Sequence, residues 1–317
     1  MPPVVVVILN WNGAADTVAC LESLSHQTSR DLHILVVDNG SEDDSTDRVK
    51  GWSSDHNLAV ELIENGANLG FAAGSNVGIR RALAAGAEQV LLLNNDTVLA
   101  PDAIEILTRF LDQHPDYAAV TGQIRYASRP VIWNCGGDLT WFGSRRYLYG
   151  EQPVEKVPQT GWRRITFVTG CAALIRASVF REHGLLTERF FFGEEDYELS
   201  QRLRRAQLRI ACCFDAVIHH KVGSSIDRAA PPAALGRYYI YYLNRFIDMK
   251  DYYPRPIWWA WRWMSIAVVL PKLRRSRGLS WRGLALLGRR LLRDSARLDG
   301  VSKERFEAAS RSGPESL

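Results

Sequence analysis

Three times in the first hundred residues an unbroken apolar run stops on a cluster of Asn and Asp. "VVVVILN" ends in Asn10-Trp11-Asn12, "HILVVDNG" in Asp38-Asn39-Gly40, and "VLLLNNDT" in Asn94-Asn95-Asp96. Runs this apolar, with no alternating polar face, suit strands buried on both sides, the condition of a parallel sheet covered by helices. Helical patterns lie between them: apolar residues at helical spacing from Asp16 to Ser25, and a Gly- and Ala-rich segment from Phe71 to Gly86. "AVELIE" at 59–64 reads as a further strand. Alternation of strand and helix implies βαβ units, right-handed crossovers and an α/β fold. Each polar end alone is explained as a capping turn, because Asn and Asp bond their own backbone. Three of them along one carboxyl edge make a crevice lined by acceptors, where open α/β sheets place ligands.

The chain has 317 residues, 46% of them hydrophobic, enough for one large domain or two close halves. Its five cysteines (Cys20, Cys135, Cys171, Cys212, Cys213) form no C-x-x-C pair and no zinc spacing. An odd, scattered set reads as buried reduced thiols of a cytoplasmic protein. "MPPVVVVILN" has no basic leader or small-residue cleavage site, so it reads as a first strand and not as a signal peptide. The net charge of +4 is uneven: residues 254–300 carry eleven Lys and Arg against Asp294 and Asp299. A nucleic-acid binder would be basic more broadly, so nucleic acid is excluded as a partner.

From Tyr126 to Trp162, Gly, Pro and aromatic residues dominate and periodicity is weak, which predicts irregular strands and loops. "RITFVTGCAALIRASVF" predicts a strand, a turn and a short helix, and "DYELSQRLRRAQ" a helix with Leu199 and Leu203 on its buried face. The last seventeen residues are polar and are expected to fray.

The polar crevice suits a nucleotide. Asp38 can accept from the N–H of a pyrimidine, and Trp11 can stack on a base. No G-x-G-x-x-G follows the first strand and no Walker lysine loop is present, so a divalent cation on Asp96 is the natural counter-charge for phosphates. In "NLGFAAGSNVGI", Gly70, Gly74 and Gly78 lie four apart and form a smooth stripe for close packing of a helix. Asn68, just before that helix, precedes free N–H donors and is the better ligand candidate. "FFFGEEDYELSQRL" sets Glu194, Glu195 and Asp196 beside three phenylalanines ahead of a helix. Acids in a first turn complement the helix dipole, yet three together exceed capping; mutual repulsion and apolar neighbours tune a carboxylate as a general base. "IHHKVGSS" offers a histidine, His220 ahead of His219, as a second metal ligand beside Asp96.

Together these motifs resemble the family 2 glycosyltransferases of GT-A fold, and among them the bacterial rhamnosyltransferase-like members, over roughly residues 4–250. "ILNWNG" looks like the family's first strand end, with Leu9 and Trp11 against the nucleobase, and "VVDNGSED" like its second, with Asp38 on the base. "NLGFAAGSN" and "LLLNNDT" match the next pair, the latter being the metal-binding D-x-D region, with Asn95 and Asn68 completing the nucleotide set. "FFFGEEDYELSQR" matches the E-D-x-D-L-x-x-R block whose aspartate is the base, here Asp196, with Glu195 beside it to orient the acceptor or cap the helix. "HHKVGSS" matches an H-x-x-G-x-S element whose histidine is His220. Two departures stand out: Asn94 replaces the first acid of D-x-D, and Glu198 replaces the third acid of the block.

The resemblance implies a Rossmann-like, mostly parallel sheet flanked by helices. A nucleotide-sugar-binding half would span 1–125, an acceptor-binding and catalytic half 126–250, a basic helical segment 251–300 and a polar tail 301–317. It implies an inverting transferase using Mg²⁺ or Mn²⁺, a nucleotide-sugar donor (first dTDP-rhamnose, second a UDP-hexose) and a glycan or lipid-linked acceptor. The expected setting is the cytoplasm, peripheral on the inner face of the plasma membrane. Residues 257–298 supply the anchor: fourteen mostly apolar residues from Ile257 to Leu270, too short to span a bilayer, then an amphipathic helix with Trp281, Leu284, Leu287, Leu291 and Leu298 near one face. A homodimer interface is the competing use of its tryptophans. Rivals from other classes are a dinucleotide-dependent oxidoreductase, against which the missing glycine fingerprint counts, and a catalytically silent nucleotide-binding scaffold.

Overall fold

A computed structural model describes residues 4–29, 31–56, 58, 60–221, 231–277 and 279–312. Its strands are β1 (Val4–Asn10), β2 (Leu32–Asp38), β3 (Val60–Glu64), β4 (Gln89–Asn94), β5 (Thr97–Leu99), β6 (Tyr117–Tyr126), β7 (Ile132–Asn134), β8 (Gly137–Leu139), β9 (Arg145–Tyr147), β10 (Trp162–Ile165), β11 (Ala172–Arg176) and β12 (Arg209–His220). Its helices are α1 (Ala14–Ser25), α2 (Ser45–Asp55), α3 (Phe71–Ala84), α4 (Ala103–Gln113), α5 (Ala177–His183), α6 (Glu195–Arg205), α7 (Pro231–Asp248), α8 (Arg255–Arg277), α9 (Trp281–Arg297) and α10 (Lys303–Ser312). Two compact units result, one of Met1–Thr140, Ser144–Thr187 and Glu195–Ser224, the other of Trp141–Gly143, Glu188–Glu194 and Ser225–Leu317.

The first unit is built on a sheet of order β10-β12-β6-β11-β4-β1-β2-β3. The apolar runs read from the sequence form its parallel part, with β1 between β2 and β4 and β3 outside β2. Beyond β4 the sheet is mixed, because β11 runs antiparallel to both β4 and β6 while β12 is parallel to β6. The absence of polar alternation in β1 has a direct cause. Val4, Val6 and Ile8 face Leu21, Leu24, Ile104 and Leu107 on one side of the sheet, while Val5 and Val7 meet Ile79 and Ala82 on the other. Pleating sends successive side chains to opposite faces, and here both faces are covered.

Register places the site. Asn10 pairs with Asp38, and Leu9 with Asn94, so the three polar strand ends fall at one level of one edge. The glycine stripe does what close packing requires, with one amendment. Gly70 caps α3 at φ +91 and is not part of the helix, leaving Gly74 and Gly78 as the contact. A Cβ at Gly78 would sit 2.5 Å from Val7 Cγ1 and 3.0 Å from Val37 Cγ2. Those valines are pinned in strands, so Gly78→Ala is expected to cost about 1–3 kcal/mol of unfolding free energy by overpacking. That outweighs the roughly 1 kcal/mol alanine would gain in helix propensity. A lower urea midpoint at unchanged slope is the readout.

All five cysteines are free and buried. Cys20 is pushed up to about 12, chiefly by burial.

The second unit is helical, and it corrects the expectation of a frayed end. Val301 bridges to Phe190, the Phe191 N–H donates to Val301 O, and α10 follows with Ala309 buried and Phe306 against Phe191 and Phe192. The segment read only as polar therefore carries an apolar stripe, while 313–317 lie outside the described residues. In α9 the leucine face is also occupied: Leu284, Leu287 and Leu291 are buried within the unit, so that face is not open to a membrane. Among the described residues, no helix is long and apolar enough to cross a membrane.

Candidate functional site

The floor of the crevice is an amide network. Asn10, buried at the end of β1, donates through Nδ2 to Asp38 Oδ1 (2.9 Å) and Ser41 Oγ (3.1 Å). Its Oδ1 accepts from Thr17 Oγ1 (2.8 Å) and Asn95 Nδ2 (3.2 Å), and Asn95 Nδ2 also donates to Thr17 Oγ1. Asp38 Oδ2 accepts from the Ser41 N–H at 2.9 Å. Asn39 has the same role at the end of the neighbouring strand: it donates to Asn68 Oδ1 and Gly70 O and accepts from Asn65 Nδ2 and the Leu69 N–H. Asn68 Oδ1 takes the Gly70 N–H as well, at 2.9 Å.

The sequence-derived nucleotide residues thus lie on one scaffold. Asp38 and Asn95 are linked through Asn10, and Asn68 through Asn39. Leu9 lies under Gly74, where a Cβ would come 2.6 Å from Leu9 Cδ1. Trp11 stands out from the edge with 55% of its surface exposed. Sequence reasoning passed over Asn10 and Asn39 as hubs, although both sit in the polar ends it singled out.

The two residues read from the sequence as candidate metal ligands are brought together by a short antiparallel crossing. After the turn at Asn94–Asp96, β5 pairs with the end of β12, setting Thr97 opposite His220, and the Lys221 N–H donates to Asp96 O at 2.9 Å. Asp96 Oδ1 and His220 Nε2 come within 3.1 Å, both largely buried, with the Trp133 ring edge-on to the imidazole at 4.5 Å. Despite that distance, Asp96 Oδ1 makes no hydrogen bond, and neither does the buried His220 Nδ1. Strand alternation turns His219 to the other face, where burial and then the Arg125 charge hold its imidazole below the usual histidine range.

A carboxylate oxygen and an imidazole nitrogen that converge in this way fit a divalent cation as donor set. Among the described residues no third His, Cys, Asp or Glu joins them, so a cation there would have coordination positions left for oxygens of a ligand. Gly223 and Ser225 of the "HHKVGSS" element lie outside the described residues.

The acidic block divides. Gly193 and Glu194 both take left-handed backbone angles, φ +79 and +83. The Glu194 carboxylate is buried in the second unit, where Arg245 donates through Nε to Oε1 and through Nη2 to Oε2. The three carboxylates are therefore not one repelling cluster, which corrects the electrostatic argument made from their adjacency. Glu195 and Asp196 open α6 in the first unit and line a pocket with Phe71, Val168, Gly170 and Leu186. Ser200 Oγ donates to Asp196 O and receives the Val168 N–H, tying that turn to the pocket wall.

Asp196 has a partner the sequence did not disclose: Arg145 Nη1 donates to its Oδ1 at 3.2 Å. Arg145 lies on β9, in the stretch without periodicity, over the rings of Phe167 and Tyr147. Nothing in a single sequence marks it.

Cys171 links the two carboxylate centres. Its N-terminal neighbour Gly170 lines the Asp196 pocket, and its carbonyl accepts from the Asn94 N–H at 2.8 Å. Burial first, and then the charges of Asp96, Cys20 and Asp196, push its thiol well up.

Residues 5–184 match the family described as Glycosyl transferase family 2. The chain is a family 2 glycosyltransferase. A low-salt glycan biosynthesis hexosyltransferase, Agl10, of Haloferax volcanii is 25% identical to it over 80% of this chain and 77% of the relative. An N-acetylglucosaminyl-diphospho-decaprenol L-rhamnosyltransferase of Mycobacterium tuberculosis is 28% identical over 81% of this chain and 90% of the relative. Among solved structures, a mannosyltransferase from Pyrobaculum calidifontis in complex with GDP-Man and Mn²⁺ superposes with a TM-score of 0.59 at 19% identity, covering 98% of this chain and 87% of that one. GalNAc-T7 with UDP, GalNAc and Mn²⁺ gives 0.64 at 16% identity, over 96% of this chain and 56% of that one. These likenesses establish the fold as GT-A-like α/β. The family match ends before α6, so Asp196 and His220 of this glycosyltransferase lie beyond it.

Proposed function

We propose that this glycosyltransferase moves a sugar, first L-rhamnose from dTDP-rhamnose, to a hydroxyl of a glycan or lipid-linked glycan, with inversion at the anomeric carbon. The observation that carries the reading is the Asp96–His220 contact at 3.1 Å without a hydrogen bond, beside the polar ends of β1 and β2. Those two side chains would hold Mg²⁺ or Mn²⁺, which supplies stabilisation of the negative charge on the departing nucleoside diphosphate. Asp38 and Trp11 are the groups for the base, one accepting from a pyrimidine N–H and the other stacking. Asp196 takes the proton of the acceptor hydroxyl as that oxygen bonds to C1 on the face opposite the leaving diphosphate, whose bond to C1 breaks. Arg145 holds the carboxylate in place, and Glu195 lines the same pocket.

The sugar assignment is supported by the mycobacterial rhamnosyltransferase, most of whose length this chain covers. A UDP-hexose is the second reading, favoured by the similarity to the haloarchaeal hexosyltransferase. A lipid-linked acceptor places the reaction at the cytoplasmic face of the plasma membrane, with the enzyme peripheral there. Two measurements test the proposal. Chelation is expected to abolish donor turnover and Mn²⁺ to restore it, while Asp96→Asn lowers kcat/KM at least about tenfold at fixed metal. Turnover indifferent to both would remove Asp96 from the metal site. A thermal-shift screen of nucleotide sugars with Mn²⁺ then ranks the donors.

A further inference from the structure

Helix α8 is inside out. Its buried side carries Arg262, with no exposed surface, and Ser265 beside Trp258 and Trp261. Arg262 is stacked against the rings of Trp258 (3.9 Å) and Trp259 (4.0 Å) and donates to Leu292 O and Ser295 Oγ. The indoles of Trp258 and Trp261 donate to Phe246 O and Phe142 O. Its outward side is apolar: Ile257, Trp263, Met264 and Val268 are 54, 61, 50 and 59% exposed. These positions fall on one half of the helix at 100° per residue, and the exposed residues between them add Trp259, Ala260 and Ala267. Soluble monomers rarely leave so continuous an apolar strip uncovered.

Charge says what covers it. The strip is bounded at one end by Arg255 and at the other by Lys272, Arg274 and Arg275, all exposed. A further exposed tryptophan, Trp281, lies beside Arg274. From Tyr252 to Arg293 there is no acidic residue. An apolar, tryptophan-bearing face rimmed only by cations matches the boundary of an anionic bilayer, where indoles settle at the headgroups and Lys and Arg meet lipid phosphate.

We infer that the outward face of α8, from Ile257 to Val268, lies in the interface of an anionic lipid bilayer, with Arg255, Lys272 and Arg275 on the headgroups. The leucine face of α9 takes no part, being buried within the unit. The inference rests on the reading above only for its purpose, bringing the enzyme to a lipid-linked acceptor; the binding itself needs no acceptor.

The test is flotation of the full chain with vesicles of phosphatidylcholine alone or with added phosphatidylglycerol, alongside donor hydrolysis in solution. The wild type is expected to float with anionic vesicles at low salt, more weakly as salt rises, and not with neutral ones. Trp263→Ser with Met264→Ser and Val268→Ser should lower vesicle affinity at least about tenfold, since bound apolar area sets affinity. Lys272→Glu and Arg275→Glu should each cost at least about fivefold on anionic vesicles, the loss of one positive charge alone. All five changes should leave donor hydrolysis in solution unchanged. Absence of wild-type flotation on anionic vesicles overturns the inference, as does flotation that the serine variant does not weaken. A dimer that the serine variant dissociates, without vesicle binding, assigns the face to a second copy and also overturns it. Absence of donor hydrolysis by the wild type would count against the proposed donor and metal site and leave the flotation result standing.

Discussion

Asp196→Asn is expected to lower the rate of glycosyl transfer by about 10²–10⁴, the range contributed by a positioned general base. The substitution isolates proton transfer. Asn keeps the size of the side chain and an oxygen that can accept from Arg145 Nη1, now 3.2 Å away, so the orientation of residue 196 survives. What is lost is a group able to take the acceptor's proton as its oxygen attacks C1. Donor affinity should change little, because the residues proposed for the nucleotide lie on the network of Asn10 and Asn39 and not on α6. The loss should therefore appear in kcat with KM for the donor nearly constant. Transfer by Asp196→Asn at the wild-type rate would move the base role elsewhere, with Glu195 in the same pocket the next residue to substitute.

Arg245→Met is expected to reduce the stability of the protein by about 3–5 kcal/mol, the cost of breaking a buried ion pair by removing one side of it. Arg245 and Glu194 side chains are each almost wholly buried and joined by two hydrogen bonds, and Arg245 Nη1 also donates to Gly143 O at 2.7 Å. Removing the guanidinium takes away the donor to both oxygens of the buried Glu194 carboxylate and to the Gly143 carbonyl. Glu194 cannot relax freely, because its backbone is held at φ +83, where most side chains are strained. Adding Glu194→Gln should recover much of the loss, since a neutral amide costs less to bury than a carboxylate that has lost its guanidinium. Urea unfolding of the two variants and the parent checks both statements. A drop below about 1 kcal/mol in Arg245→Met would mean that the pair contributes no more than a surface salt bridge.

Much of the fold was legible because it depends on local properties of the chain. Apolar runs of β-branched residues, turn-forming ends and helical spacing recovered β1, β2, β3, β4, α1, α3 and α6 to within a few residues. The stripe of Gly74 and Gly78 was readable as a packing surface because period alone puts both on one helix face. The polar strand ends were readable as a shared edge because parallel strands joined by right-handed crossovers end on the same side of a sheet. Asp96, Asp196 and His220 stand out in the sequence as candidates because each sits in an ordered motif.

What the chain could not disclose one segment at a time is which residues meet. Arg145 reaches Asp196 across 51 positions and Glu194 reaches Arg245 across another 51, and neither partner carries a periodic or compositional mark. The same limit governs the C-terminal helices: spacing showed that α9 has an apolar face and that α8 is rich in tryptophan. Only packing showed that the first face is covered and the second left open, with Arg262 inside. Propensity and periodicity belong to the backbone around each residue and survive in any context. Long-range partners are chosen by the free energy of burying whole surfaces at once, in which a polar side chain is placed wherever its charge or hydrogen bonds can be met.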